Sequence, residues 1–136
     1  RQVFVDTAAL KALMDDKDAA YGRAVEVFYE LHDLGVKLVT TDYVIDEFFT
    51  LMRCRYKLDP DIIFKFVRGI LVSDIQILQI TQDAFGDALR IMKRYKDHLF
   101  SFTDCVNFVV LSDLKIKDVL TTDKHYEVLG FNRLLK

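Results

Sequence analysis

The stretch SFTDCVNFVVL, Ser101 to Leu111, sets a carboxylate and a carboxamide into a run that is otherwise mostly apolar. Read as a helix, residues 105–111 are apolar nearly all round, broken only by Asn107, and a helix of that kind belongs in a core. Asp104 opens the helix, and Asn107 follows at i+3 on the same face. Three other acids stand in equally conspicuous places. Asp6 follows the apolar triplet Val3-Phe4-Val5, Asp123 closes Thr121-Thr122-Asp123, and Glu47 shares a helical stripe with Tyr43, Val44, Leu51 and Cys54. A carboxylate among apolar neighbours is costly unless it is paired or bound to a cation. Brought together, such groups repel by about 4 kcal/mol per pair at ~4 Å and an effective dielectric of ~20. A divalent cation reverses that sign. Oxygen donors without a His or Cys cluster suit Mg2+ or Mn2+, and Mg2+ keeps waters that leave room for a phosphate oxygen and a water nucleophile.

Each acid also has a purely structural reading. Asp6 can cap the helix that follows it, and Asp42 can do the same for the next one. Ser101-x-x-Asp104 is a capping box with Asp in the Glu position. Glu47 can pack its stem and send its carboxyl to water, whereas Asp46 shares a polar stripe with Asp42, Thr50 and Arg53. Capping leaves Asn107 unexplained. It also explains Asp123 poorly, because only a weak helical pattern follows in Lys124-His125-Tyr126.

The elements that must position these residues alternate between strand and helix. QVFVD reads as a buried strand ending at Asp6, followed by the short helix TAALKALM. A helix capped by Asp18 and stopped by Gly35 leads to the strand VKLVTTD, and the helix YVIDEFFTLMRCRYK comes next. Asp59-Pro60 launches DIIFKFVRGIL, IQILQI alternates as a strand, and Thr81 caps QDAFGDALRIMKRYKD. After the helix at Ser101 come the strand KDVLTTD, a helical turn KHYEVLG and a last strand in FNRLL. Strands separated by helices imply right-handed crossovers, hence a three-layer α/β/α sandwich with a mostly parallel central sheet. Such sheets carry their functional crevice beyond the carboxyl ends of the strands, where Asp6, Asp42 and Asp123 fall.

With 136 residues, 51% of them hydrophobic and 29% charged, the chain fits a single domain over residues 1–136 with one core. Five Gly and one Pro leave little for linkers. No apolar run reaches the ~18 residues of a membrane span, and no signal peptide is legible. Cys54 and Cys105 have no partner at metal or redox spacing and read as reduced core residues, which points to the cytoplasm. The net charge of −2 argues against a generic nucleic-acid coat.

The motifs VFVDTAAL, VIDEFFTL, SFTDCVNFVVL and VLTTDKHYEVLGF, in that order, resemble those of the PIN-domain ribonucleases, a family that includes the VapC-like toxins of toxin–antitoxin pairs. The resemblance implies that Asp6, Glu47, Asp104 and Asp123 are the catalytic acidic quartet holding Mg2+ or Mn2+, with Asn107, Thr7 and Thr103 beside them or against substrate. It further implies metal-dependent endoribonuclease activity on RNA, a cognate antitoxin partner and a homodimer. Two basic runs interleaved with Tyr are candidates to hold RNA: Arg53 and Arg55 in RCRYK, and Lys93 and Arg94 in KRYKDH. Both end helices, where cations are expected in any case. His32, His98 and His125 show no triad or zinc spacing, and His125 reads as an ordinary surface histidine. Two rivals lack their residues. An aspartyl-phosphate phosphatase wants a second Asp two positions after the first, where Ala8 stands, and a receiver domain wants an acidic pair and a placed Lys. The alternative of another class is a catalytically idle domain of the same fold that binds RNA or protein.

Overall fold

A computed structural model describes residues 1–136. The central sheet has five strands, all parallel, in the order β3-β2-β1-β4-β5. These are β1 (Gln2–Val5), β2 (Lys37–Thr41), β3 (Gln76–Leu78), β4 (Asp118–Leu120) and β5 (Asn132–Arg133). The helices are α1 (Thr7–Met14), α2 (Tyr21–Asp33), α3 (Asp42–Thr50), α4 (Pro60–Leu71), α5 (Gln82–Arg94), α6 (Phe102–Asp113) and the short α7 (His125–Val128). Strand order runs outward from β1 in both directions, so right-handed crossovers place helices on both faces of the sheet. This is the three-layer sandwich that the alternating pattern predicts.

The order reverses between β1 and β4, which are hydrogen-bonded neighbours with Val5 beside Leu120. Asp6 and the Thr121–Asp123 segment leave the sheet side by side from that pair. Central β1 reads as an unbroken apolar run, Val3, Phe4 and Val5, because both of its faces are covered. In α6, Asp104 through Leu111 are all buried, including Asn107. Phe108 stacks edge-on with Phe100 and Tyr126 in this core.

Several expectations about local structure fail for identifiable reasons. Asp18 does not cap α2, which begins at Tyr21. Its carboxylate instead accepts from the Ala20 amide and pairs with Lys11 at 2.5 Å. Asp42 is not the cap of α3 either: the Thr41 hydroxyl accepts from the Val44 amide. Asp42 accepts from the Tyr43 and Ile80 amides, tying the start of α3 to the segment after β3. The long helix expected after Asp42 gives way at Leu51–Arg55 to a π-helical turn. That wider turn rotates the later side chains away from an α-helical stripe. Met52 therefore enters the core and Cys54 is exposed, a correction to its reading as a core thiol. Cys105 is buried and free as expected. Strands β3 and β5 are shorter than their sequence patterns, being the two edges of the sheet. No helix is long and apolar enough to cross a membrane.

Candidate active site

Asp6 takes the first position after β1, where its amide still donates to the Leu120 carbonyl of β4. Its side chain does not cap α1. It is buried, its Oδ2 accepts from the Thr121 hydroxyl at 2.9 Å, and its Oδ1 faces the Asn107 amide nitrogen at 3.4 Å. Asn107 also donates to the Tyr126 hydroxyl at 2.8 Å. The carboxamide in the apolar helix thus serves a buried carboxylate 101 residues away in sequence. Burial, followed by the negative charge of Asp104, pushes the Asp6 pKa from 3.8 up to about 7.

Asp104 does form the capping box: the Ser101 hydroxyl accepts from its amide, and its Oδ2 accepts from the Ser101 amide, both at 3.0 Å. Removing the cap by Ser101→Ala is expected to cost about 1 kcal/mol of stability, measured by chemical denaturation. Capping does not exhaust Asp104. The His125 Nδ1 lies 3.3 Å from the same Oδ2, while Oδ1 carries no hydrogen bond. Burial raises the Asp104 pKa, with Asp123 adding to the rise and the Ser101 amide and His125 opposing it.

Asp123 is fixed by its neighbours: its amide donates to the Thr121 hydroxyl and its Oδ1 accepts from the His125 amide. The His125 ring stands 3.5 Å from that same Oδ1. Asp104, Asp123 and His125 each offer a ligand atom, all within 4.8 Å of one another. Glu47 is half-buried on α3. Burial raises its pKa, and Asp104 and Asp123 raise it further, against the pull of the Thr7 and Thr103 hydroxyls nearby. The buried Thr7 Oγ1 and Asn107 Oδ1 have no hydrogen-bond partner.

The sheet edge therefore gathers Asp104 and Asp123 closely. Asp6 and Glu47 stand around them, outside that tight group but within their electrostatic reach. Three of the four acids are pushed toward protonation, first by burial and then by the charge of their acidic neighbours. Oxygen donors, one imidazole and two orphaned buried oxygens fit a hard divalent cation better than any pairing within the chain.

A family model for the PIN domain matches residues 3–132. The chain belongs to the PIN domain family. Over 127 residues it is 24% identical to a VapC ribonuclease of Aquifex aeolicus, covering 93% of this chain and 91% of that one. Over 132 residues it is 27% identical to a VapC ribonuclease of Archaeoglobus fulgidus, covering 95% and 81%. In structure it is similar to the sarcin–ricin-loop-cleaving toxin VapC20 of Mycobacterium tuberculosis, with a TM-score of 0.82, 95% of each chain covered and 22% identity.

Within this PIN domain three contributors escaped the sequence reading. His125 is no ordinary surface histidine, since its ring touches both Asp104 and Asp123. Thr121 and Tyr126 are fully buried against the Asp6 network. The spacing Thr121-x-Asp123-x-His125 was the available signal: three polar residues at alternate positions just beyond a strand. The basic candidates Arg53, Arg55, Lys93 and Arg94 are all exposed and none is paired with the acidic group. Arg53 donates to the Leu58 carbonyl, closing the turn after the π-helical segment. A groove of about 630 Å3 lies between α1, α2 and α4. It is lined by apolar groups such as Leu13, Met14, Phe28 and Phe66, and it shares no residue with the carboxylates.

Proposed function

We propose that this PIN domain is a metal-dependent endoribonuclease, with Asp6, Glu47, Asp104 and Asp123 as its catalytic acids. The observation that carries the reading is the convergence of these acids beyond the carboxyl ends of β1 and β4, where Asp104, Asp123 and His125 offer ligand atoms within 4.8 Å of one another. The ribonuclease relatives support the choice of RNA as substrate.

A bound Mg2+ or Mn2+ would supply activation of a water and neutralisation of charge at the attacked phosphate and the leaving oxygen. Asp104 and Asp123 would be its principal ligands and Asp6 a further one. Thr121 and Asn107 hold Asp6 in place through its two oxygens. His125 sets the spacing of Asp104 and Asp123 by touching both. Glu47 is half-buried, and its raised pKa makes it a better proton acceptor than an ordinary surface glutamate. In the proposed hydrolysis Glu47 takes a proton from the attacking water as the new P–O bond forms. The bond to the leaving oxygen breaks, and that oxygen departs with a proton from solvent.

A toxin role, with a cognate antitoxin protein as partner, is the biological setting we infer from the VapC relatives. A homodimer of this chain is part of the same proposal.

The experiment is incubation of defined RNAs with purified protein in Mg2+ or Mn2+ and then in excess chelator. Cleavage that appears with the cation and stops with the chelator is expected. Cleavage at equal rate in chelator would exclude the metal mechanism, and RNA left intact in both would favour the idle binding module.

A further inference from the structure

The loop between α5 and α6 carries a chain of rings that ends at the acidic cluster. His98, an exposed residue, lies nearly parallel to Phe100, with ring centres 5.0 Å apart and planes 6° from coplanar. Phe100 is buried and meets His125 edge-on at 5.2 Å and 73°. His125 in turn contacts Asp104 and Asp123. Tyr95 closes the group from the side, 6.0 Å from His98 and 6.1 Å from Phe100. Exposed Lys93 and Arg94 end α5 and exposed Lys96 lies in the loop, and the Arg94 guanidinium sits 5.6 Å from the centre of the Tyr95 ring.

Sealing the end of the core accounts for Phe100, which packs on Phe108 at 5.1 Å. It does not account for an exposed imidazole stacked on that seal, with Lys93, Arg94 and Lys96 just before it in the chain and the His125–carboxylate group beyond Phe100. A flat ring with a solvent-facing side, next to phosphate-binding charge, is the combination that holds a single nucleic-acid strand. Every base presents a π-face to stack, and the backbone finds the cations.

We propose that His98, backed by Phe100 and flanked by Tyr95, is a stacking platform for one unpaired nucleobase of an RNA strand running into the carboxylate cluster. The inference rests on the ribonuclease reading and adds a subsite to it. It requires a base free of its partner strand, which excludes an intact duplex at this position. Lys93, Arg94 and Lys96 would serve the phosphates on the approach.

The test is fluorescence anisotropy with a short labelled oligouridylate in chelator, so that no cleavage intervenes. His98 is exposed, so His98→Ala should fold, which its melting temperature checks. His98→Ala is expected to weaken binding about 5- to 150-fold, the range of a lost base stack. His98→Phe is expected to restore it, because the ring and not the charge is required. An oligonucleotide with an abasic residue in every position should bind wild type and His98→Ala alike. Wild-type affinity in His98→Ala, failure of His98→Phe to rescue, equal His98 dependence for the abasic strand or a duplex, or no binding by wild type would each overturn the platform. Cleavage of the same RNA by wild type in Mn2+ reports the ribonuclease reading separately. Cleavage with binding indifferent to His98 removes only the platform, and His98-dependent binding without cleavage removes only the nuclease.

Discussion

Replacing Asp104 by Asn is expected to lower RNA cleavage at least about a thousandfold, some 4 kcal/mol of lost barrier reduction, while the protein stays folded. Asn keeps an oxygen that can accept from the Ser101 amide and a backbone amide that donates to the Ser101 hydroxyl, so the capping box survives. It also removes a negative charge that raises the pKa values of Asp6 and Glu47. The variant should therefore melt no lower than wild type in chelator, although it is inactive. A residue that only caps a helix would keep its activity in this variant, because the cap survives. Single-turnover cleavage assays beside thermal melts separate the two.

The second large effect is on stability. Asp6 holds its proton more tightly in the folded protein, with a pKa near 7, than in the unfolded chain, where it stands near 3.8. The folded state therefore binds more protons across that interval, and stability falls as pH rises. This contribution is complete below about pH 4 and is lost as pH climbs through about 7. At ~1.4 kcal/mol per pKa unit the loss is on the order of 4 kcal/mol. Glu47 and Asp104, also raised, act with the same sign. In chelator, Asp6→Asn should flatten this decline and melt several degrees above wild type at pH 8. A divalent cation should cancel the advantage. A wild-type protein that is more stable at pH 8 than at pH 5 in chelator would contradict the picture of uncompensated buried charge.

Both effects start from residues that stand out in the sequence, and they show which parts of a chain can be read this way. Asp6 stands out because an apolar strand ends on it, and Asn107 because it interrupts an apolar helix. Strand and helix alternation carries the fold because each crossover has its own periodicity and caps, with Thr81 and Asp59 accepting the expected amides. Legibility fails where a side chain has two equivalent local uses. Asp42 and Asp18 look like caps, but whether they cap depends on Thr41 and Lys11, which compete for the helix start and for the carboxylate. It fails again where backbone geometry departs from the assumed period: the π-helical turn at Leu51–Arg55 turns Cys54 outward against a correct-looking stripe. The spacing Thr121-x-Asp123-x-His125 marks polar residues beyond a strand, but the roles of His125, Thr121 and Tyr126 rest on contacts with Asp104, Asp6 and Asn107, which are distant in sequence.

The claim beneath all of this is that Asp6, Asp104 and Asp123, from three segments of chain, hold a hard cation beside Glu47. Mn2+ titration followed by melting temperature, on wild type and Asp104→Asn side by side, tests it most directly. A cation that binds the folded state alone stabilises by mass action, about 2.7 kcal/mol at a hundred times its dissociation constant. The account predicts a saturable rise in melting temperature for wild type and none for Asp104→Asn. A wild-type melting temperature indifferent to Mn2+, or an equal rise in both proteins, would contradict it.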